Sequence, residues 1–196
     1  MSELPDWMYA PRVEGWIADD LDHLPQAPRH TELIDGALVF MMSPQRTWHS
    51  WVVSGLNAAL EGLVPDGLWP EREITIKLDR TNRPEPDVMV VSAEPDPTRT
   101  WYEPTEVVLV VEVVSPESAQ RDREVKFRKY AKAGIRHYWI VEEEDGLPVV
   151  HVYELDPAAS AYAPAGIFRG KLERPVPFPT VIDLDRFVSR RKRAAD

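Results

Sequence analysis

Glu106-Val-Val-Leu-Val-Val-Glu-Val-Val114 decides the fold. Seven of its nine residues are Val or Leu, with Thr105 before it and Ser115-Pro116 after it. Such a short, β-branched run bounded by turn-forming residues predicts a buried strand rather than a helix. The basic segment from Gln120 to Ala133 follows, patterned as a helix that Gly134 is placed to end. A second apolar run, His137-Tyr-Trp-Ile-Val141, comes next. Strand, helix and strand within about 35 residues make a unit of βαβ size.

Glu112 sits inside the first run. A carboxylate among valines is costly unless it is paired, protonated or bound to a cation. Asp87 opens another short apolar run, Asp87-Val-Met-Val-Val91, directly after Pro86. If these two strands are neighbours, both acids converge at one end of the sheet and can hold a hard divalent ion completed by water. Mg²⁺ or Mn²⁺ is the natural choice, because the chain has no cysteine and no clustered histidines. The alternative is that Asp87 caps its strand and Glu112 pairs with an arginine.

The helix after the Glu112 strand carries Asp122, Lys126 and Tyr130 at i, i+4 and i+8, on one stripe. A lysine in its first turns can reach back to the strand end. Between Arg121 and Arg136 lie seven of the chain's 23 basic residues. That concentration reads either as a phosphate footprint or as a solvated basic face. Glu32 opens a further strand and either points at the same site or is an exposed strand acid. His49 reads as a packing or surface histidine, and His23, His30, His137 and His151 lack metal-ligand spacing. Ser115 has no Gly-x-Ser-x-Gly elbow, and no phosphate-binding glycine loop is present.

Elsewhere the pattern gives a short helix over Val13 to Leu24. A hairpin follows over Glu32 to Met42, turning at Asp35-Gly36. The longest helical pattern runs from Thr47 to Val64, with Trp48, Trp51, Val52, Leu56, Ala59, Leu60 and Leu63 three and four apart. Leu68 to Leu78 reads as a strand, Pro95 to Pro104 as a loop, and Val149 to Tyr153 as a strand pairing with residues 137–141. Ala158 to Ala165 reads as a loop, Gly166 to Pro179 as weak strand, and Ile182 to Val188 as a closing helix. No internal repeat or linker divides the chain, so residues 1–196 form one expected domain, irregular at 1–12 and 190–196.

The net charge of −10 argues against broad non-specific nucleic-acid binding but allows a local basic site. No apolar run approaches the roughly 20 residues of a membrane span. The start, Met-Ser-Glu-Leu-Pro-Asp, lacks the basic and apolar regions of a secretory signal, so a cytoplasmic protein is expected. Seven tryptophans leave apolar area for pairing subunits.

Taken together, these residues resemble the Uma-two family of restriction endonucleases. The resemblance rests on Pro86-Asp87, on Glu112-Val-Val-Ser115-Pro116, and on Asp122, Lys126, Tyr130, Gly134 and Tyr138-Trp139 at their spacing. Glu32-Leu-Ile-Asp-Gly36 and Ser43-Pro44 match its N-terminal signature. It covers roughly residues 30 to 155. That family is similar to the PD-(D/E)xK nucleases. The resemblance therefore implies an α/β protein of the α+β, mixed-sheet kind, with helices flanking the sheet and a metal site at the ends of two central strands. Asp87 and Glu112 match the two acidic half-motifs. The lysine expected two residues after Glu112 is replaced by Val114, and Lys126 takes its place from the helix. Glu32 resembles the additional upstream acid, and the main-chain carbonyl of Val113 completes the ligand shell. The implied activity is Mg²⁺- or Mn²⁺-dependent endonucleolytic hydrolysis of DNA by a homodimer. The alternative is a non-catalytic nucleic-acid-binding or scaffold protein that keeps the fold, which the acidic net charge slightly favours.

Overall fold

The computed structural model describes residues 5–40 and 45–189. The expected strand end at Met41-Met42, the Ser43-Pro44 signature and the tail from Arg190 lie outside the described residues.

The chain enters through a 3-10 turn, Asp6–Met8, and a 3-10 helix, Ala18–His23. The expected helix over Val13 to Leu24 is therefore shorter and tighter than its apolar spacing suggests. A hairpin follows, β1 (Thr31–Ile34) and β2 (Ala37–Phe40). Asp35 and Gly36 both take positive φ, +50° and +77°, as a two-residue hairpin turn of matching twist requires. Helix α1 runs Thr47–Glu61 and buries His49, Val52, Val53, Leu56 and Leu60 along one stripe. The expected strand from Leu68 to Leu78 is broken into β3 (Trp69–Glu71) and β4 (Thr75–Ile76), with Glu73 at φ +57° between them.

Strand β5 (Val88–Val91) follows. Short β6 (Trp101–Tyr102), inside the expected loop, pairs in parallel with β4. Strand β7 (Val107–Val113) is the valine run. After it come a π-helical segment, Arg121–Lys126, helix α2 (Phe127–Lys132), and β8 (His137–Glu144). Gly134, at φ +84°, ends the helix as expected. The remaining strands are β9 (Leu147–Asp156), β10 (Ala161–Arg169), β11 (Lys171–Arg174) and β12 (Thr180–Asp183).

Six strands form the central mixed sheet in the order β10-β9-β8-β7-β5-β3. Only β7 and β8 run in parallel, joined by the helical crossover; the other pairs are antiparallel. The two faces build two cores. Even-numbered Val88 and Val90 and odd-numbered Leu109, Val111 and Val113 face α1 and the β11-β12 pair. Met89, Val110, Tyr138 and Ile140 face Tyr130 and Ala131 of α2. Burial on both faces explains why β7 reads as a continuous apolar run rather than an alternating one.

Two expectations fail near the C-terminus. The loop expected over Ala158 to Ala165 holds only to Ser160: Ala161 to Ala165 are instead the first half of β10, where Tyr162 is buried and donates from its hydroxyl to the Ile135 carbonyl. The closing helix over Ile182 to Val188 is instead the end of β12 and a 3-10 turn, Asp185–Phe187. Alternation of buried Thr180 and Ile182 with exposed Val181 and Asp183 marks the strand.

Candidate functional site

The β5–β7 ladder pairs Val88 with Val111, so one step further Asp87 arrives opposite Glu112. The N–H of Val113 donates to Asp87 Oδ2 at 2.7 Å, tying the two strand ends together. The hairpin reaches the same place by a bridge between Leu33 and Arg83. That bridge puts Glu32 beside the Glu85 backbone, whose N–H donates to Glu32 Oε1 at 2.9 Å. From the other side the π-helical segment turns Asp122 and Lys126 inward, both buried. Short π-helical stretches are frequent where side chains must be aimed at a site.

These pieces line a cleft of about 300 Å³. Glu32, Asp87, Glu112, Val113 and Lys126, all singled out from the sequence, face it, together with Glu85, Asp122, His30 and His49. At its floor the Lys126 ammonium lies 2.6 Å from Glu32 Oε1, 3.0 Å from Glu112 Oε1 and 3.6 Å from Asp122 Oδ1, and donates to the Glu85 carbonyl at 3.3 Å. The Tyr130 hydroxyl donates to the same Glu112 oxygen at 2.8 Å. Glu32 Oε2 faces Arg121 Nε at 3.2 Å, an ion pair without the alignment of a hydrogen bond. The reading of Glu112 as an arginine partner and of Lys126 as part of a solvated face is thereby corrected: its side chain is 4% exposed. Glu32 is likewise no exposed strand acid, at 2%.

Burial pushes the Glu112 carboxyl well up, and Lys126 offsets this only in part because Asp122, Asp87 and Glu32 add like charge. Burial also raises Asp122. For Lys126, burial opposes the charged form, but Glu112, Glu32 and Asp122 together outweigh it and raise the ammonium well above its ordinary value. Lys126 therefore stays charged, while Glu112 is short of positive charge.

Among the described residues, no three histidine or acidic side chains stand as a ready cage for a metal ion. The donor chemistry nevertheless fits a hard divalent cation. Glu32, Glu85, Asp87, Glu112 and Asp122 line the cleft against Lys126, with Arg121 behind Glu32. This surplus of carboxylates, one of them Asp122 Oδ1 buried without a hydrogen bond, is relieved by added positive charge. Ions such as Mg²⁺ are commonly held by one or two carboxylates, water and substrate phosphate, which needs no closed cage.

The expected phosphate footprint is reduced. Besides Lys126 and Arg121, Arg123 binds Glu142 at 2.6 Å and Lys129 binds Asp35 at 2.5 Å, so four of the seven basic residues serve this chain's own acids.

His49 was legible only as a packing or surface histidine, yet its Nε2 lies 3.2 Å from Asp87 Oδ1. The available signal was its position on the buried stripe of α1, three and four residues before Val52 and Val53. His30, whose Nδ1 meets Glu85 Oε1 at 2.5 Å, gives no such signal in the sequence.

The Uma2 family, described as "putative restriction endonuclease", matches this chain over residues 4–185. No curated protein matches it. Among solved structures, a protein of Anabaena variabilis described as a "putative nuclease belonging to DUF820" superposes with a TM-score of 0.62 and 18% identity. The alignment covers 88% of this chain and 90% of that one, a likeness of fold. No described helix is long and apolar enough to cross a membrane. With the mixed sheet, the acids at its central strand ends and a family match spanning nearly the whole sequence, this chain belongs to the Uma2 family.

Proposed function

We propose that this protein is a divalent-metal-dependent nuclease that hydrolyses DNA phosphodiester bonds. The carrying observation is the convergence of Asp87, Glu112 and Lys126 on one cleft at the end of β5 and β7. Asp87, Glu112 and the Val113 carbonyl are the proposed ligands of Mg²⁺ or Mn²⁺. A divalent ion held there would lower the pKa of a bound water and neutralise charge developing on the phosphate.

The chain's own residues supply the rest. Val113 N–H fixes Asp87 by Oδ2, and Oδ1, which faces His49 Nε2 at 3.2 Å, is the oxygen proposed for the ion. Lys126 and Tyr130 hold Glu112 by Oε1, which leaves Oε2 for a ligand. Lys126, with its donors already committed to oxygens of the site, acts as a fixed positive charge that stabilises the added charge of the transition state. Glu32 anchors Lys126 from the hairpin. In the overall step, water oxygen bonds to phosphorus and gives up a proton, the bond from phosphorus to the leaving oxygen breaks, and that oxygen takes up a proton.

A second reading, a scaffold that keeps the fold without catalysis, is favoured by one observation: the Lys126 ammonium already meets three of the acids of the cleft, Glu32, Glu112 and Asp122. Titration calorimetry with Mg²⁺ and Mn²⁺ separates the two. A nuclease binds at least one of the ions, and Asp87→Asn and Glu112→Gln each weaken that binding. Cleavage of single-stranded, double-stranded and branched DNA then stops in both variants and in Lys126→Ala. Unchanged cleavage in all three refutes the proposal.

A further inference from the structure

His49 projects from the first turns of α1 and is nearly buried, its side chain 10% exposed. It reaches the cleft from the sheet face opposite α2, and its Nε2 stands 3.2 Å from Asp87 Oδ1. The ring also interacts with the main chain of Val113. The Val113 N–H is already given to Asp87 Oδ2, so the carbonyl is the group that remains for the imidazole. The ring thus lies against Asp87 Oδ1 and the Val113 main chain, the two groups that the proposed ion uses. Two donors in adjacent positions around a six-coordinate ion, each about 2.1 Å from it, stand roughly 3 Å apart. The observed separation of His49 and Asp87 matches that spacing with little movement of either side chain.

We propose that His49 Nε2 is a further ligand of the divalent ion, and that it turns the site's preference from Mg²⁺ toward Mn²⁺. The inference rests on the metal-dependent reading above. Imidazole is a poor ligand for Mg²⁺ and a good one for first-row transition ions, whereas carboxylate, carbonyl and water suit Mg²⁺ and Mn²⁺ alike. A mixed nitrogen and oxygen set therefore discriminates between two ions of the same charge that an all-oxygen set treats similarly. Helix α1 makes the ligand possible: its packed stripe of Val52, Val53, Leu56 and Leu60 holds the ring at the strand ends before any ion arrives.

The test is pulsed electron paramagnetic resonance of the full-length protein loaded with one equivalent of Mn²⁺, with calorimetry alongside. A directly bound imidazole imprints ¹⁴N modulation on the Mn²⁺ echo. The expected result is that modulation in the wild type and in His30→Gln, and its loss in His49→Gln. Calorimetry is expected to show Mn²⁺ affinity falling on the order of 10- to 100-fold in His49→Gln, with Mg²⁺ affinity falling much less. Should His49→Gln fail to fold, the wild-type and His30→Gln spectra decide alone. Tight Mn²⁺ binding that needs Asp87 but carries no ¹⁴N modulation overturns the His49 ligand and leaves the nuclease reading intact. Modulation that vanishes in His30→Gln instead overturns it as well. A wild-type protein that binds neither ion removes both readings together.

Discussion

Lys126 Nζ lies 3.0 Å from Glu112 Oε1, with the two side chains 4% and 3% exposed. The pair belongs to a larger unit, because the same ammonium meets Glu32 and Asp122. Desolvating these groups is costly, and removing one member costs more than the pair contributes, since the rest stay buried without their counter-charge. Lys126→Met is expected to lower stability by about 3–5 kcal/mol, read as the urea midpoint of the metal-free protein. Adding Mn²⁺ is expected to recover part of the loss. A change below about 0.5 kcal/mol contradicts a cluster held together by that charge.

Tyr130 gives a finer measurement of the same network. Its hydroxyl donates to Glu112 Oε1 from inside α2 and has no access to solvent. Tyr130→Phe is expected to cost about 1.5–3 kcal/mol in stability, because it removes a hydrogen bond to a buried carboxylate. It is also expected to weaken Mn²⁺ binding by calorimetry, since Glu112 is then fixed by Lys126 alone. Identical binding in the variant shows that Tyr130 does not orient the acid.

The pH dependence of the cleft mouth has a definite sign. His30 is raised above its ordinary value, first by its hydrogen bond to Glu85 and then by that carboxylate's charge, against opposing burial. The contribution linked to the His30 proton is therefore fully present below about pH 6.5, as long as Glu85, itself raised by burial, is ionised, and is lost as pH rises through the folded value. Nearly half of the His30 side chain is exposed, so solvent screens the effect on stability and it is small. The sharper test is an NMR titration. His30 is expected to titrate above its ordinary value in the wild type and to fall back toward it in Glu85→Gln; no difference between the two contradicts the pairing.

Arg83 controls the site from a distance. It is almost wholly buried, binds both oxygens of Asp22 at 2.8 and 2.9 Å, and donates to Thr75 and to the Ala18 carbonyl. Its backbone is also what pairs with Leu33 and seats the hairpin bearing Glu32. Lysine cannot reproduce the forked, multi-partner contact. Arg83→Lys is expected to destabilise the protein by about 3 kcal/mol or more. Hydrogen exchange in β1 and β2 is expected to accelerate more than in β7; uniform acceleration contradicts an anchoring role.

Much of the fold was legible because the deciding signals are local. The valine run, the Asp35-Gly36 turn and the apolar stripe of α1 each state their own structure. Asp87, Glu112, Lys126 and Glu32 were legible as a group, and the structure brings all four to one cleft. What stayed hidden depends on distant partners. Strand β10 carries Pro164 and a register shift between Pro164 and Gly166, so its strand pattern is blurred and only pairing with β9 reveals it. The 3-10 turn at Asp185–Phe187 has helical spacing in sequence but too little length to form a helix. His49 looked ordinary because nothing near it in sequence mentions Asp87, which is brought to it by the sheet.

The cleft is sewn from four stretches of chain that lie far apart: the hairpin at Glu32, the end of β5 at Asp87, the end of β7 at Glu112, and the crossover at Lys126. A nascent polypeptide that has emerged only through β6 presents Glu32 and Asp87 with nothing to set between them. A proteolytic fragment lacking the crossover leaves its acids facing each other without a lysine. The hydrolysis proposed for this cleft therefore requires all four stretches together, so a chain that stops short of the crossover is expected to lack it.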